Sequence, residues 1–189
     1  MIEITKLILF KFLIFFLGFA LKIFSSPKGS DLLATMQYRF DLIRYKKKGV
    51  VIGAGSVLYD CRFSHSYKGD RFFIGNNCTI TGTTFLGHDA SPTVFMPELK
   101  VRSQPYLPGA RRSYRSAIHV GDNVFIGVGT IVLAGVTIGS NVVIGAGSVV
   151  TKNVPNSTVV AGNPAKFIKR FEEYESKYRQ RFLDEPEAF

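Results

Sequence analysis

Between residues 120 and 150 an aliphatic residue occurs at every sixth position of the sequence. The members of this series are Val120, Ile126, Val132, Ile138, Ile144 and Val150. Neither an α-helix nor a single β-strand repeats with this period. A chain that turns a corner after every six residues does, and three sides of that length close one coil of about eighteen residues. The sequence therefore favours a stack of coils with aliphatic side chains inside.

A second column of small or branched residues reinforces this repeat. It occupies the fifth place of each unit, at Val124, Thr130, Val136, Val142, Ser148 and Val154. The series also begins earlier in the chain, with Ile52, Leu58, Ile74, Ile80 and Leu86 in phase. Each unit buries its apolar face only against its neighbours, so such repeats form one continuous stack. We predict a mainly β fold, a parallel β-helix over residues 50–165.

The repeat is interrupted in two places. Residues 64–73 slip out of phase, which predicts a small excursion near His65 to Asp70. Residues 89–117 contain no six-residue unit and form a longer excursion loop. Its basic residues are Lys100, Arg102, Arg111, Arg112 and Arg115, against Asp89 and Glu98 only. A long irregular loop inside a compact repeat domain is typically functional.

The N-terminal segment has a different character. Residues 1–28 contain an apolar run from residue 7 to residue 24, broken by Gly18 and by Lys11 and Lys22, which share one helical face. We expect a membrane-associating helix whose lysines reach the headgroups, followed by an amphipathic basic helix over residues 30–48. The run either spans the bilayer or lies on it, and the alternative is a helix that packs on the protein's own core or on another subunit. The expected location is cytoplasmic, peripheral at the inner face of the cell membrane.

The overall charge and the cysteine content restrict the choice of partner. The formal net charge of +10 favours an anionic partner, namely headgroups, cofactor phosphates or an acidic glycan. No nucleic-acid recognition motif accompanies that charge, so no nucleic-acid partner is expected. Cys61 and Cys78 are too few for a disulfide framework and lack the spacing of a zinc site, so no metal is expected.

One part of the repeat closely resembles a known family. Residues 120–170, VGDNVFIGVGTIVLAGVTIGSNVVIGAGSVVTKNVPNSTVVAGNPAKFIKR, are similar to the hexapeptide-repeat acyltransferases. The similarity is greatest to the branch that contains galactoside, maltose, xenobiotic and capsular-polysaccharide O-acetyltransferases. The resemblance extends over residues 50–170. It implies a left-handed parallel β-helix, a homotrimer with its sites between subunits, and acetyl-CoA as the co-substrate. Residues 166–189 are expected to form a short C-terminal helix or tail.

The resemblance also implies a catalytic histidine. In this family the histidine precedes an excursion loop and often follows glycine, which here indicates His88 in Gly87-His88-Asp89. An imidazole can accept the proton of an acceptor hydroxyl near neutral pH. His65 and His119 are weaker candidates for a chemical role. Asp89 is a candidate to orient the imidazole, although adjacent side chains on an extended segment point to opposite faces.

The cofactor residues are implied in the same way, position by position. Val128 and Ala146 correspond to the pantetheine groove, Thr151 and Lys152 follow the last complete unit, and Lys166 and Lys169 would lie near the nucleotide. Basic side chains suit the anionic phosphates of CoA because their hydrogen bonds are charge-assisted.

The function that the resemblance implies is acetyl-CoA-dependent O-acetylation of a cell-surface saccharide, such as a capsule, exopolysaccharide or lipopolysaccharide precursor. N-acetylation of an amino sugar nucleotide is the enzymatic alternative. A γ-carbonic-anhydrase-like zinc enzyme shares the fold, but the three histidines here lack its ligand spacing. A non-catalytic trimeric scaffold would leave His88 and the Thr151-Lys152 pair unexplained.

Overall fold

A computed structural model describes residues 2–24, 27–66 and 68–189, with side chains described for residues 9–20 and from residue 29 onward, 67 excepted. The chain divides into two compact units, Met1–Lys47 and Lys48–Phe189. Each unit has its own internal packing and is described separately.

Two helices form the first unit: α1 spans Ile2–Phe24 and α2 spans Pro27–Lys47. The rings of Phe10 and Phe40 stack with centroids 5.9 Å apart, and the Lys11 ammonium lies 5.5 Å from the centroid of the Phe40 ring. Helix α2 begins three residues before the predicted start. Proline suits the first helical position because its missing N–H would have no intrahelical partner there.

Helix α1 leaves large apolar side chains uncovered. They are Leu9, Phe12, Leu13, Phe15, Phe16 and Phe19, each more than half exposed. Among the described residues, no helix offers an apolar stretch long enough to cross a membrane. Both ends of the predicted apolar run, including Lys22, lie outside the described side chains.

Three parallel sheets form the sides of the second unit. Sheet A contains β1 (Val50–Ile52), β4 (Phe72–Ile74), β9 (Ile118–Val120) and β12 (Thr137–Ile138). Sheet B contains β2 (Val57–Tyr59), β5 (Thr79–Thr81), β10 (Val124–Ile126), β13 (Val142–Ile144) and β15 (Thr158–Ala161). Sheet C contains β3 (Arg62–Phe63), β6 (Thr84–Phe85), β11 (Ile131–Val132) and β14 (Val149–Val150). Successive strands visit the sheets in turn, so the fold is a parallel β-helix, as predicted.

The core of the coil stack is the one that the six-residue period predicts. All residues of both predicted columns between 120 and 154 are buried. Strands one coil apart pair in register, for example Val124 with Val142 and Val132 with Val150. One coil here takes eighteen residues, which is three six-residue units. Residues of one column on consecutive coils are therefore stacked on each other.

The predicted phase fails before the long excursion. Val132 is paired with Phe85, not with Leu86, and Phe85 is fully buried whereas Leu86 is half-buried. The preceding coil pairs Phe63 with Phe85 in the same way. Both early coils turn from sheet B to sheet C in one residue fewer than the later coils. The inward residues at this place are therefore aromatic, and Leu86 is not one of them.

Asparagines line the corner between sheets A and B. Asn77, Asn123 and Asn141 have positive φ angles of 53°, 56° and 56°. The Asn77 amide donates to Asn123 Oδ1 at 2.8 Å, and the Asn123 amide donates to Asn141 Oδ1 at 3.0 Å. Asparagine tolerates this left-handed backbone better than most residues because its side chain hydrogen-bonds locally. This ladder links three successive coils.

The C-terminal segment differs from the prediction for residues 166–189. Strand β16 (Lys166–Arg170) runs antiparallel to β15, and only then do helix α4 (Phe171–Asp184) and a 3-10 turn (Pro186–Ala188) follow. Strand β15 ends the stack, so its outer edge would be left unpaired. The returning chain supplies the missing partner, which makes residues 166–170 a strand.

The phase shift can be tested with two adjacent substitutions. The Phe85 ring lies 4.8 Å from the Phe63 ring and 6.3 Å from the Phe72 ring, centroid to centroid. We expect Phe85→Ala to lower the free energy of unfolding by about 3–5 kcal/mol. Leu86→Ala should cost about 1 kcal/mol or less, since the side chain is only half-buried. Urea unfolding at a single protein concentration measures both; a larger loss for Leu86→Ala would contradict the observed phase.

Candidate active site

His88 lies at the corner where the chain leaves sheet C. Strand β7 (His88–Asp89) pairs antiparallel with β8 (Tyr114–Arg115), so the excursion departs and returns on one two-stranded ribbon, with His88 opposite Arg115. Between them lie a helix, α3 (Pro92–Phe95), a 3-10 turn (Pro97–Leu99) and a bridge between Lys100 and Arg111. The excursion is therefore folded rather than irregular.

The His88 ring is fixed by a buried carboxylate. Its Nδ1 atom lies 2.8 Å from Asp70 Oδ2, and the Asp70 side chain is completely buried whereas 27% of the His88 side chain is exposed. An ionised carboxylate only accepts hydrogen bonds, so Nδ1 carries the proton and donates it. The other ring nitrogen, Nε2, is then left with a free lone pair. This is the tautomer that a general base requires.

Asp70 stays ionised because hydrogen bonds outweigh its burial. Burial raises the pKa of the Asp70 carboxyl, but the hydrogen bonds from Ser64 and His88 hold that pKa below its ordinary value. The Ser64 hydroxyl donates to Asp70 Oδ2 at 2.6 Å. Since the folded-state pKa is lowered, this carboxylate stabilises the fold fully above the unfolded-state pKa, and that contribution is lost as the pH falls through the folded-state pKa.

Gly87 allows the carboxylate to come this close. A Cβ atom at residue 87 would lie 2.8 Å from Asp70 Cβ and 2.9 Å from Phe72 Cζ, closer than such atoms approach in proteins. The Gly87 N–H also donates to the Ser64 hydroxyl at 2.8 Å. Glycine before the histidine is therefore a packing requirement of the Ser64, Asp70 and His88 arrangement.

The exposed edge of His88 faces a cavity of about 380 Å³. Its wall comes from both excursions: Ser66 and Lys68 from the short one, and Arg111, Arg112 and Arg115 among others from the long one. The ring thus lies between a buried carboxylate on one side and a solvent-accessible space on the other. A hydroxyl-bearing molecule in that space would lie beside the imidazole.

The other two histidines are separate from this site. The His119 ring stacks on the Phe73 ring at 4.7 Å on the outer face of sheet A, and His65 is exposed. Asp89 accepts hydrogen bonds from the backbone and the hydroxyl of Ser91 and does not orient His88. In the part of the chain that is described, no group of three histidine, cysteine or acidic side chains is placed to hold a metal ion.

The residues implied for the cofactor fall into two places. Val128 and Ala146 lie one above the other on consecutive coils, both exposed, where the chain enters sheet C, and the Gly147 N–H donates to the Val128 carbonyl at 2.8 Å. Thr151 and Lys152 are exposed just after β14, on the opposite side of sheet C, where its strands end. His88 lies on that same side, two coils earlier. Their roles in binding remain predictions.

The two remaining lysines lie on β16. Lys166 pairs with Ala161 and Lys169 with Val159, so both are at the last coil of the stack. Lys166 is exposed and Lys169 is half-buried. The register puts Lys166 close to the end of the Val128 and Ala146 column, whereas Lys169 lies further along the strand.

Sequence reasoning missed Asp70 and Ser64. The sequence signal that could have indicated Asp70 is the phase slip at residues 64–73. These residues make the first coil longer than the regular eighteen, and Asp70 is one of them. Asp70 contacts His88 because the two insertions follow sheet C at the same corner of consecutive coils. To predict that contact one must know which strands pair, and the interrupted repeat does not show this.

Comparison with known proteins agrees with this fold. Residues 117–152 match the family model described as bacterial transferase hexapeptide, six repeats. The chain is 44% identical over 141 residues to Protein CapG of Staphylococcus aureus, covering 71% of this chain and 73% of that one. It is 33% identical over 153 residues to a chloramphenicol acetyltransferase of Agrobacterium fabrum, covering 68% and 71% respectively.

A solved structure gives the same result. A maltose O-acetyltransferase from Clostridium difficile 630 superposes with a TM-score of 0.50 at 34% identity, covering 64% of this chain and 58% of that chain. The chain thus spans less than two thirds of that structure. The chain belongs to the hexapeptide-repeat acetyltransferases. It is an acyltransferase, and acetyl-CoA is the co-substrate of its family.

Replacing the buried carboxylate tests whether it positions His88. In Asp70→Asn the amide keeps the shape but no longer requires a proton on Nδ1, so we expect kcat for acetyl transfer to fall about 10²- to 10⁴-fold. The KM for acetyl-CoA should change little, because Asp70 is buried away from solvent. Steady-state kinetics separate the two quantities, and an unchanged kcat would contradict the positioning role.

The Asp70→Asn variant should also change how the free energy of unfolding depends on pH. The difference in unfolding free energy between wild type and Asp70→Asn should be fully present above the unfolded-state pKa of the carboxyl, and it should shrink as the pH falls through the lowered folded-state pKa. A difference that is independent of pH would show that the ionised form is not the stabilising one.

Proposed function

We propose that this protein transfers the acetyl group of acetyl-CoA to a hydroxyl group of a cell-surface saccharide, with His88 as the general base. The observation that carries this proposal is the His88 ring itself. It is held by the buried Asp70 carboxylate on one side and borders a cavity on the other. Membership of the hexapeptide-repeat acetyltransferases supplies the reaction class.

In the proposed reaction His88 Nε2 accepts the proton of the acceptor hydroxyl as its oxygen attacks the thioester carbonyl. Asp70 stabilises the imidazolium that forms, because its carboxylate accepts the hydrogen bond from Nδ1. Collapse of the tetrahedral intermediate breaks the carbon–sulfur bond, and the imidazolium returns the proton to the leaving thiolate. The products are an acetyl ester and CoA. Base catalysis of this kind contributes about 10²- to 10⁴-fold in rate.

Acetyl-CoA is proposed to lie along the coil axis. Val128 and Ala146 would contact the pantetheine arm, Thr151 and Lys152 would border it, and Lys166 and Lys169 would meet the phosphates at the last coil. The exposure of the Val128 and Ala146 column supports this placement. An arm that runs from the last coil towards His88 crosses successive coils, which matches the extended shape of pantetheine.

A homotrimer of left-handed β-helices is proposed as the active assembly. Within one chain, Val128 and Ala146 lie at one edge of sheet C and His88 lies at the other. A neighbouring copy that contributed its own groove residues would bring the two sets to one site. Light scattering tests this, and a monomeric mass for the active protein would contradict it.

Attachment to the cytoplasmic face of the cell membrane is proposed for the first unit. The six exposed apolar side chains of α1 support it, as does the basic end of α2 with Arg44, Lys46 and Lys47 in its last turn. Apolar insertion together with attraction to anionic headgroups gives a two-signal anchor. Co-sedimentation with anionic vesicles tests this; full-length protein that stays in the supernatant would argue against it.

The proposed function is tested by acetyl-CoA-dependent release of free thiol across saccharide acceptors. We expect His88→Ala to lower kcat by about 10²-fold or more, because the base is removed. His119→Ala is the matched control, since that ring only stacks on Phe73 at the outer surface, and it should retain activity. Transfer to amino sugars but not to hydroxyl acceptors would favour N-acetylation instead. Full activity of His88→Ala would contradict the proposed base.

A further inference from the structure

The cavity beside His88 is bordered by uncompensated positive charge. The four cations on its wall are Lys68, Arg111, Arg112 and Arg115. No acidic side chain is among the described residues that line it. In the described part of the chain none of the four lies within ion-pair distance of a carboxylate. Like charges that share a cavity repel one another, so an anionic group would relieve that repulsion.

A buried hydroxyl on the same wall also lacks a partner. Ser66 is 7% exposed, and its Oγ atom makes no hydrogen bond within the described residues. Asp70 Oδ1 is buried and likewise makes no hydrogen bond within the described residues, and hydrogen bonding to Ser66 is one of the interactions that lower the pKa of the Asp70 carboxyl. Buried hydroxyls in native proteins are nearly always hydrogen-bonded. The Ser66 hydroxyl can therefore donate either to Asp70 or to a ligand oxygen in the cavity.

The position of the cavity separates these cations from Lys166 and Lys169, the residues proposed to meet the phosphates of CoA. His88 leaves the second coil of the stack, whereas Lys166 and Lys169 pair with the last coil through β16. Three strand spacings separate those levels in sheet B, which is roughly 14 Å along the axis. The reactive sulfur and the phosphates of CoA are at opposite ends of the pantetheine arm. An anion beside His88 therefore belongs to the other substrate.

We propose that this cavity, defined by Ser66, Lys68, Arg111, Arg112 and Arg115, binds an anionic group of the acceptor. The group is a carboxylate or a phosphate, so the preferred acceptor is an acidic saccharide. This specificity rests on the proposed acetyl transfer at His88. The planar guanidinium groups match the two oxygens of a carboxylate or phosphate. Arg115 is opposite His88 on the ribbon, so an anion held there places an adjacent hydroxyl near the base.

The specificity is measured with acceptors that differ only in charge. The carboxylate arm compares an oligogalacturonide with its carboxyl-reduced, neutral counterpart. The phosphate arm compares N-acetylglucosamine 1-phosphate with N-acetylglucosamine. We expect kcat/KM to be about 10-fold or more higher for the acidic member of at least one pair, as charged hydrogen bonds allow. The arm that responds identifies the anionic group. Equal values in both pairs would overturn the proposal.

Substitution of the loop arginines connects that preference to the cavity. In Arg111→Gln/Arg112→Gln the ratio of kcat/KM for the acidic over the neutral acceptor should fall about 10-fold or more. Arg102→Gln is the matched control, because Arg102 is an exposed cation of the same loop that does not line the cavity. It should leave the ratio unchanged. A double variant that raises the KM for acetyl-CoA instead would overturn the proposal, since the arginines would then serve the cofactor.

A binding measurement without acetyl transfer tests the anion site separately from the proposed acetyltransferase function. Calorimetric titration of the same oligogalacturonide and sugar phosphate into full-length protein needs no acetyl transfer. Binding that weakens about 10-fold in the double variant, and with added salt, supports the anion site even if no acceptor is acetylated. Absence of binding for both acidic ligands would overturn the site, whatever the enzyme acetylates.

Discussion

The hydrogen-bonded register between successive coils constrains everything else in the second unit. Because each strand pairs with the strand one coil away, extra residues can leave only at a corner. Ile52 pairs with Ile74 and Ile74 with Val120, across 22 and 46 residues, whereas Val120 and Ile138 are one regular coil of 18 residues apart. Both insertions leave where sheet C ends. They therefore stack on each other, and the functional residues lie where they meet.

This stacking gives each insertion a distinct contribution. The short one supplies Asp70, which is buried beneath the ring, and Lys68 at the rim of the cavity. The long one supplies His88 and the three arginines. A base, its orienting carboxylate and a charged wall thus come from segments that are irregular in sequence but adjacent in space. The regular coils hold them in place and, by our proposal, provide the groove for acetyl-CoA.

How much the sequence predicts depends on where the period is intact. From Val120 to Val150 the residue at every sixth position is buried, because the corners between these residues have the same length. The spacing shortens in the last coil, where Ile138 pairs with Val154 across 16 residues. Before Ile118 the corners vary, so the prediction of Leu86 as an inward residue fails and Phe85 replaces it. The strand at residues 166–170 was missed because its partner is the open edge of β15, which no local pattern reveals.

The candidate site shows the same limit. His88 is predicted from a family motif beside an excursion. The structure explains why glycine precedes it, because Gly87 packs against Asp70 with no room for a side chain. Asp70 and Ser64 could not be predicted, because the hydrogen bonds of Asp70 to His88 and of Ser64 to Gly87 join two coils of unequal length. The basic loop is visible in the sequence. Which of its cations share one cavity follows only from the folded ribbon, as the contrast between Arg102 and Arg111 shows.

The most direct test of the account is the protonation state of the His88 ring. Nitrogen-15 NMR of the imidazole, near neutral pH and without substrates, reports which ring nitrogen carries the proton. We predict a proton on Nδ1 and a free lone pair on Nε2, because the ionised Asp70 carboxylate only accepts hydrogen bonds. A ring protonated on Nε2 alone, or one whose tautomer is unaffected by Asp70→Asn, would contradict the claim that this carboxylate prepares the base.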